Sequence, residues 1–269
     1  MASGRGLPCV YGVVMATNPK HKPTVCVSWI SPGEVRHEFV ESIMSMNLYF
    51  SERGRKVVRA FVGLQSGPRI AEARSKVVEA FAETRAEWLL MIDSDMVWEA
   101  DALDKLLETA DPVDAPIVGG LCFGGRADKP MFPTIYSVVA DDDGNFHGVN
   151  SVIEYPKDSV IKVGATGAAF LLVHRDVFVK MRKAFGKLPG GEPNPYPWFV
   201  EASNGGKPYG EDISFCIRAL ALDIPIYVDT RVKIGHIKTR VLSESAYEEQ
   251  QSSIVKQVTT PELVLPDLG

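Results

Sequence analysis

Residues 88–96 read WLLMIDSDM, an apolar strand that stops at two carboxylates, Asp93 and Asp95, separated by one serine. Side chains alternate between the two faces of a strand, so residues i and i+2 share a face. The two carboxylates can therefore point the same way where the chain leaves the sheet. One or two carboxylates, completed by substrate phosphate and water, are the usual protein ligands of a magnesium-type ion. The stretch predicts a cation site at the end of a buried strand.

A helix cap is the competing interpretation of the same residues. Asp and Ser are common helix N-caps, and residues 99–107 have a helical pattern, so Ser94 or Asp95 can serve only to cap a turn. D-S-D by itself is a weak motif. Its position directly after a fully apolar run favours the ligand site, because open α/β sheets bind ligands outside the carboxyl ends of their strands.

The segments around this strand alternate between strand and helix patterns. We expect strands over 24–30, 56–64 and 87–92, a helix over 36–49, and a second helix along the apolar stripe of Ile70, Ala73, Val77, Val78 and Phe81. Three strands alternating with two helices imply parallel pairing through right-handed crossovers. The first half of the chain therefore has the pattern of a nucleotide-binding sheet.

Beyond residue 116 the pattern changes. We expect a strand over 117–121 and a hairpin of 134–139 and 144–149 with an acidic tip at 141–143. A strand that contains several glycines is expected over 163–174, and a loop rich in Pro, Gly and Asn over 188–208. Helices are expected over 176–185 and 211–222, and a last strand over 224–229. The acidic tip does not have the spacing of oxygen ligands that a calcium-binding loop requires, so we expect a solvated hairpin turn there. Without repeats or linkers, a single domain over 1–240 with a tail over 241–269 is expected.

The composition is that of an ordinary soluble protein. The 269 residues are 45% hydrophobic and 23% charged, with a formal net charge of -5. This net charge does not indicate nucleic-acid binding. The 4 cysteines form no C-x-x-C pair, so they predict small core residues rather than a zinc site or disulfides. The apolar patch over 7–16 is shorter than the ~20 residues that span a bilayer. We expect a cytoplasmic protein without a membrane partner.

Two later motifs extend the D-S-D signal. Gly210-Glu211-Asp212 lies at a predicted helix start and Gly235-His236 follows the last predicted strand. In this order the motifs, which span 25–236, resemble those of GT-A-type glycosyltransferases, family 2-like, and most closely the small soluble ones of bacteriophage genomes. The resemblance implies an α/β fold with a Rossmann-like mixed central sheet flanked by helices. It also implies a nucleotide-sugar-binding half over 24–120 and an acceptor-binding half over 121–240.

The resemblance assigns a metal to the D-S-D end. Asp95 is expected to bind a Mn²⁺ or Mg²⁺ that bridges the donor diphosphate, and Asp93 to contact the ribose or share the metal. His236 is expected as the third protein ligand. The chemical need is clear, since a metal neutralises the charge that builds on a departing diphosphate without requiring a proton. A surface or capped core residue is the alternative for His236.

The resemblance assigns the acceptor to the Gly210-Glu211-Asp212 end. In inverting members of the family the aspartate acts as general base, taking the proton of the acceptor hydroxyl. Asp212 is therefore the predicted base, and Glu211 is expected to bind the acceptor. The alternative is that both acids only complement the dipole of the helix that they begin.

Further residues are expected to bind the nucleotide-sugar. They are Trp29 and Ser31 at the base, Arg74 and Lys238 at the phosphates, Gly167 within the small-residue segment 164–169 at the sugar, and Trp198 stacked on a sugar or base. Each has an alternative. Arg74 can be an ordinary exposed helix residue, Trp198 a packing anchor, and the basic run around His236 a solvated surface.

Together these patterns predict a metal-dependent hexosyl- or pentosyltransferase that uses a nucleotide-diphosphate sugar and a hydroxyl acceptor. Phage-type relatives suggest modified DNA bases, virion proteins or polysaccharides as acceptors, and the host cytoplasm as location. A nucleotidyltransferase on a similar fold is the rival enzyme, although residues 31–34 are a poor version of its glycine-rich loop. A carbohydrate- or DNA-binding relative without turnover is the rival non-enzyme. The motifs leave open the donor, the acceptor, the stereochemistry and the oligomeric state.

Overall fold

The computed structural model describes residues 23–125, 130–140, 146–204 and 207–239, together with positions 244, 248 and 251. The helices are α1 (His37–Glu52), α2 (Ile70–Ala82), α3 (Ala102–Thr109), α4 (Arg175–Phe185) and α5 (Glu211–Leu220). The strands are β1 (Val25–Ser31), β2 (Val58–Gln65), β3 (Trp88–Asp93), β4 (Met96–Val97), β5 (Ile117–Leu121), β6 (Phe123–Gly124), β7 (Phe132–Pro133), β8 (Ile135–Ala140), β9 (Phe146–Ser151), β10 (Val160–Val163), β11 (Ala165–Thr166), β12 (Phe170–His174), β13 (Ala202–Asn204), β14 (Lys207–Tyr209), β15 (Ile226–Lys233) and β16 (Gly235–His236).

Seven strands form the central sheet in the order β10-β15-β5-β12-β3-β1-β2. β1 pairs in parallel with β2 and β3, and β5 pairs in parallel with β15. β12 lies between these groups and is antiparallel to both β3 and β5, so five strands run the same way. β10 pairs antiparallel with β15. Because of this arrangement, the carboxyl ends of β1, β3, β5 and β15 lie along one edge of the sheet.

Successive side chains of the central strands pack into two apolar clusters, one on each face of the sheet. Leu89 and Met91 of β3 belong to the cluster that includes residues of α2, α4 and α5, whereas Leu90 and Ile92 belong to the cluster that includes residues of α1 and α3. Burial on both faces explains why β3 is a continuous apolar run rather than an alternating one. The sheet is therefore the middle layer between helices.

The predicted fold class, α/β with a mixed central sheet flanked by helices, is confirmed. The predicted parallel pairing of the first three strands is also confirmed. The strand expected over 163–174 is wrong as a single element, because the chain leaves the central sheet after Val163 and returns at Phe170. Gly164 permits this crossing, since a Cβ at that position would lie 2.6 Å from the backbone nitrogen of Val138.

The second half of the chain also forms smaller sheets outside the central one. β8 pairs with β9 as the predicted hairpin, and β11 joins β8 on its other side. The acidic tip at 141–143 lies outside the described residues. The loop expected over 188–208 is partly wrong, because β13 and β14 form an antiparallel pair within it. A three-residue strand is too short to show the alternation of polar and apolar side chains that identifies a strand in a sequence. Pro208 also argues against a strand at this position.

The chain divides into two compact units, residues 1–237 and 238–269. All the helices and strands above belong to the first unit. None of its described helices combines the length and apolar character that crossing a membrane requires. Cys26, Cys122 and Cys216 are buried free thiols, as expected for small core residues, and burial raises the pKa of Cys26 to about 11.

Candidate active site

The predicted site lies where the parallel strands end. Asp93 is the last residue of β3, beside Ile30 near the end of β1. β5 ends at Leu121 and is followed by Phe123, and β15 is followed by His236. The sheet order places β12 between β3 and β5, so the chain segments that leave these strands meet above it. This edge is where open α/β sheets bind ligands.

Asp95 and His236 are brought together by a short antiparallel pair. The turn Ser94–Asp95 leads into β4, which pairs with β16 so that Met96 lies opposite His236. The Oδ2 atom of Asp95 lies 3.0 Å from Nε2 of His236. The backbone carbonyl of Asp95 also accepts a 2.8 Å hydrogen bond from the N–H of Ile237. Residues 141 positions apart are thereby fixed side by side.

The second nitrogen of the imidazole determines the chemistry of this contact. Nδ1 of His236 lies 2.9 Å from the backbone carbonyl of Phe123. A carbonyl can only accept, so Nδ1 carries a proton, and Nε2 of a neutral ring presents a lone pair to the Asp95 carboxylate. Two acceptors 3.0 Å apart need a cation between them, either a proton on Nε2 or a metal ion. A histidine whose other nitrogen donates to a backbone carbonyl is the usual arrangement of a metal ligand.

Arg74 of α2 connects Asp93 to Glu211, the first residue of α5. Its guanidinium donates to Oδ1 of Asp93 at 2.7 Å and to Oε1 of Glu211 at 3.1 Å. A third hydrogen bond of 3.1 Å goes to the backbone carbonyl of Ala168. The side chain is only 6% exposed. Arg74, Asp93 and Glu211 thus form one ion-pair network, with a buried arginine between two partly exposed carboxylates, that links the two halves of the chain.

The charges of this network keep Arg74 protonated. Burial acts to lower the pKa of the guanidinium, but Asp93, Glu211 and the more distant Asp212 raise it overall. Since a buried charge is tolerated only with partners, Arg74 and its two carboxylates depend on one another. The sequence alternative of an exposed helix residue for Arg74 is wrong.

Asp212 begins α5 next to this network and has a perturbed carboxyl group. Burial raises the pKa of Asp212, and the neighbouring Glu211 charge raises it further. The backbone N–H of Ile213, which donates to Oδ1 at 2.7 Å, and the charge of Arg74 oppose this rise without cancelling it. A carboxylate more basic than usual in a cleft is a candidate general base.

The small-residue segment 164–169 lies between the two ends of the site. The N–H of Asp93 donates to the backbone carbonyl of Ala169 at 3.0 Å. A Cβ on Gly167 would lie 3.3 Å from Oγ1 of Thr134 and 3.7 Å from Oδ2 of Asp212. The segment therefore spans from the D-S-D strand to the candidate base.

The structure assembles some of the predicted metal ligands but not all three. Within the described ranges, no three His, Cys, Asp or Glu side chains converge closely enough to hold one metal ion. Asp95 and His236 are paired, while Asp93 is turned to Arg74. The expectation that Asp93 and Asp95 act side by side is thus replaced by two different partners for the two carboxylates.

Trp29 and Ser31 lie on β1 close to the site edge. The Trp29 indole packs in edge contact with Phe39 and Phe61, and it occupies the space that Gly63 leaves, where a Cβ would come within 2.7 Å of the ring. The carbonyl of Ser31 accepts the N–H of Ser66 at 2.7 Å. Both residues are half-buried near the end of β1.

Trp198 does not line the site. It is 2% exposed, its indole N–H donates to the backbone carbonyl of Phe178 at 2.9 Å, and Arg182 lies over its ring. The stacking role expected for it is wrong, because a buried ring with a satisfied N–H has no free face. The packing alternative describes it correctly.

Two cations of the basic run around His236 are paired within the protein. Arg231 is paired with Asp229 and Glu108, and Lys233 lies 2.9 Å from Asp158. These two cations thus have structural partners in the described chain. Lys238 is the first residue of the second unit.

Two features of the site escaped the sequence interpretation. The Phe123 carbonyl that orients His236 has no sequence signature, because every residue carries a carbonyl. Tyr136 is the second: its pKa is raised by burial and by the charge of Asp212. Its strand was predicted, but its neighbour on α5 was not.

Comparison with known proteins gives distant structural similarities. Neither a protein-family model nor a curated protein sequence matches the chain. A197 from STIV is 16% identical with a TM-score of 0.49, over 80% of this chain and 86% of that one. GalNAc-T7 with UDP, GalNAc and Mn²⁺ is 12% identical with a TM-score of 0.49, over 81% of this chain and 44% of that one. The inositol-1-phosphate CTP transferase from T. maritima is 10% identical with a TM-score of 0.42, over 86% and 96%. Similarities this distant leave the reaction to be inferred from the site.

Proposed function

We propose that this protein is a metal-dependent glycosyltransferase of the GT-A type. It transfers a sugar from a nucleotide-diphosphate donor to a hydroxyl acceptor. The observation that carries the proposal is the contact between Asp95 and His236, in which Nδ1 is tied to a carbonyl and Nε2 faces a carboxylate 3.0 Å away. A cation site of this kind at the carboxyl edge of the sheet suits a diphosphate ligand.

Asp95 and His236 are the residues that would hold the metal. A mixed carboxylate and imidazole set favours a transition ion such as Mn²⁺ over Mg²⁺, whose protein ligands are oxygens. When bound, the ion would neutralise the negative charge of the departing diphosphate. Asp95 is 40% exposed and His236 is 21% exposed, so phosphate oxygens and water can complete the coordination.

Arg74 sets the positions of the two acids that flank the reacting groups. By binding Asp93 and Glu211 at once, it fixes the donor-side carboxylate relative to the acceptor-side one. In this proposal Asp93 binds the ribose and Glu211 binds an acceptor hydroxyl. Arg74 then acts through these side chains and differs from the phosphate ligand that the sequence suggested.

Asp212 is the proposed base of an inverting transfer. The acceptor oxygen forms a bond to the anomeric carbon while the bond from that carbon to the diphosphate oxygen breaks. The hydroxyl proton passes to the Asp212 carboxylate. Its raised pKa improves it as a proton acceptor near neutral pH.

The remaining donor contacts are proposed from position. Trp29 and Ser31 at the end of β1 would contact the nucleotide base, and Gly167 the transferred sugar. Lys238 is proposed at the phosphates on the basis of sequence alone. Modified DNA bases, virion proteins and polysaccharides stay candidate acceptors.

The test is donor binding followed by product analysis. UDP-, GDP- and dTDP-sugars should raise the melting temperature only with Mn²⁺, and CMP-sugars, which lack the diphosphate, serve as the control. With the stabilising donor, free nucleoside diphosphate should appear as the sugar is transferred or slowly hydrolysed. Release of pyrophosphate would identify a nucleotidyltransferase instead. Binding with neither product would identify a binding protein.

A further inference from the structure

The solvent face of α1 carries an apolar ridge with no partner in the described first unit. Val40, Met44 and Leu48 lie four residues apart along the helix and are 40%, 59% and 57% exposed. The opposite face of the helix is buried through Phe39, Met46 and Phe50. Residues four apart form a continuous row on a helix. Methionine and leucine in the middle of a solvent face are unusual unless another surface covers them.

The charges at the two ends of α1 are opposite in sign. Near its beginning, three carboxylates accompany one arginine: Glu34, Glu38, Glu41 and Arg36. Near its end, three cations accompany one carboxylate: Arg53, Arg55, Lys56 and Glu52. Arg55 is paired with Asp104 at 2.6 Å and Arg53 lies 4.0 Å from Glu52, so the positive excess at that end comes from the exposed Lys56. Neither end neutralises itself.

We infer that α1 is the contact surface of a symmetric homodimer, with the two α1 helices antiparallel across a twofold axis at Met44. In this arrangement Val40 of one copy meets Leu48 of the other, and Met44 meets Met44. The acidic beginning of each helix then lies next to the basic end of its partner. A twofold interface requires such self-complementarity, and the distribution of charge along α1 supplies it.

The charge distribution selects a second copy over other partners. An anionic membrane would repel the acidic end of α1. A protein surface that carries charges of only one sign would complement only one end of the helix. An antiparallel copy matches both ends at once. The ridge has only three large apolar side chains per copy, so the association is weak, with a dissociation constant in the micromolar range.

The test is sedimentation equilibrium of the full chain over concentrations from about 1 to about 200 μM. We expect a monomer–dimer equilibrium that Met44→Glu weakens by at least about tenfold, because it places two carboxylates at the axis. Val179→Glu on α4 is the matched control, since Val179 is 60% exposed and lies outside the ridge. It should leave the equilibrium unchanged.

A second variant tests the antiparallel geometry. Lys56→Glu reverses the positive excess at one helix end and should weaken the dimer, and added salt should weaken the wild-type dimer as well. A wild-type chain that stays monomeric throughout the range would overturn the inference, as would a dimer that survives Met44→Glu. Binding of the monomer to anionic vesicles without dimer formation would equally count against it. None of these measurements involves the proposed activity.

Discussion

Asp93 and Asp95 differ by two positions in sequence but lie in contrasting environments. Asp93 accepts from a buried arginine that it shares with Glu211. Asp95 lies 3.0 Å from Nε2 of His236. Asp93 is paired with a permanently charged guanidinium, whereas the histidine beside Asp95 is charged only when it is protonated. Two identical residues in one motif thus acquire separate tasks from their partners.

The same contrast extends to the two ends of the site. The end formed by Arg74, Glu211 and Asp212 is largely buried and held by hydrogen bonds within the protein. The end formed by Asp95 and His236 is more exposed. We therefore expect fixed geometry at the first end and an exchangeable ligand at the second. Substitutions at the two ends should therefore fail in different ways.

Asp212→Asn should have the largest effect, a fall in kcat of roughly 10²- to 10⁴-fold, the usual contribution of a general base. It should not harm the fold. Because the folded-state pKa of Asp212 is raised, the folded chain binds its proton more tightly than the unfolded chain, and its contribution to stability declines as pH rises through that interval.

At neutral pH the melting temperature of Asp212→Asn should therefore equal or exceed that of the wild type. Turnover by initial-rate assay and melting by calorimetry check the two halves of this prediction. A retained kcat would rule out Asp212 as the base. A large loss of stability would contradict the environment described for it.

Arg74→Met should destabilise the protein by about 1 to 3 kcal/mol, because it leaves two partly exposed carboxylates and one backbone carbonyl without their donor. Chemical denaturation gives the free energy of unfolding. Arg74→Lys should lose less, since it keeps the charge but cannot reach all three acceptors. Arg85→Met, at an exposed arginine, is the control and should change little. Equal stability of the two methionine variants would show that the network does not hold the two halves together.

Asp95→Asn should weaken Mn²⁺ binding by about ten- to a hundredfold. Since Asp95 is partly exposed, the melting temperature without metal should barely change. Electron paramagnetic resonance of free Mn²⁺ measures the affinity directly. Asp114→Asn, at an exposed acid away from the motif, should bind Mn²⁺ as the wild type does. Wild-type affinity in Asp95→Asn would place the metal elsewhere and leave the contact with His236 as an ion pair.

Trp198→Phe should cost about 0.5 to 1.5 kcal/mol in stability, because it removes the hydrogen bond to Phe178. Donor affinity, measured by calorimetry in the same preparation, should not change. A selective loss of donor affinity would restore the stacking role that the sequence suggested.

The smallest expected effect is in the pH profile of Glu211→Gln, where the acid limb of kcat should shift to lower pH; the KM of the acceptor should also rise, because Glu211 is the proposed acceptor ligand. Activity is lost as pH falls through the pKa of Asp212, which burial raises first and the Glu211 charge second. Without that charge the pKa falls toward its ordinary range, so the base stays ionised at lower pH. Glu83→Gln, at an exposed acid, should leave the limb in place. A shift in the opposite direction would contradict the electrostatics of the acceptor end.

Much of the fold was predictable because its signals are local. The apolar run that ends at Asp93 gave the buried strand, and the stripe from Ile70 to Phe81 gave α2, since both patterns reflect which faces are buried. The segment over 163–174 was predicted as one strand although it belongs to two sheets, because buried strands of different sheets have the same apolar composition. The break at Gly164 depends on the approach of Val138, which lies far away in sequence.

The sequence by itself determined the α/β class, the buried strand before D-S-D and the residue types at the site, because periodicity and composition follow from burial. Only the tertiary structure decided which charges meet. It placed Asp95 against His236 and gave Asp93 to Arg74, and it removed Trp198 from the site. Pairings of this kind depend on strand order and helix packing, which bring together residues more than a hundred positions apart, and no local pattern encodes them.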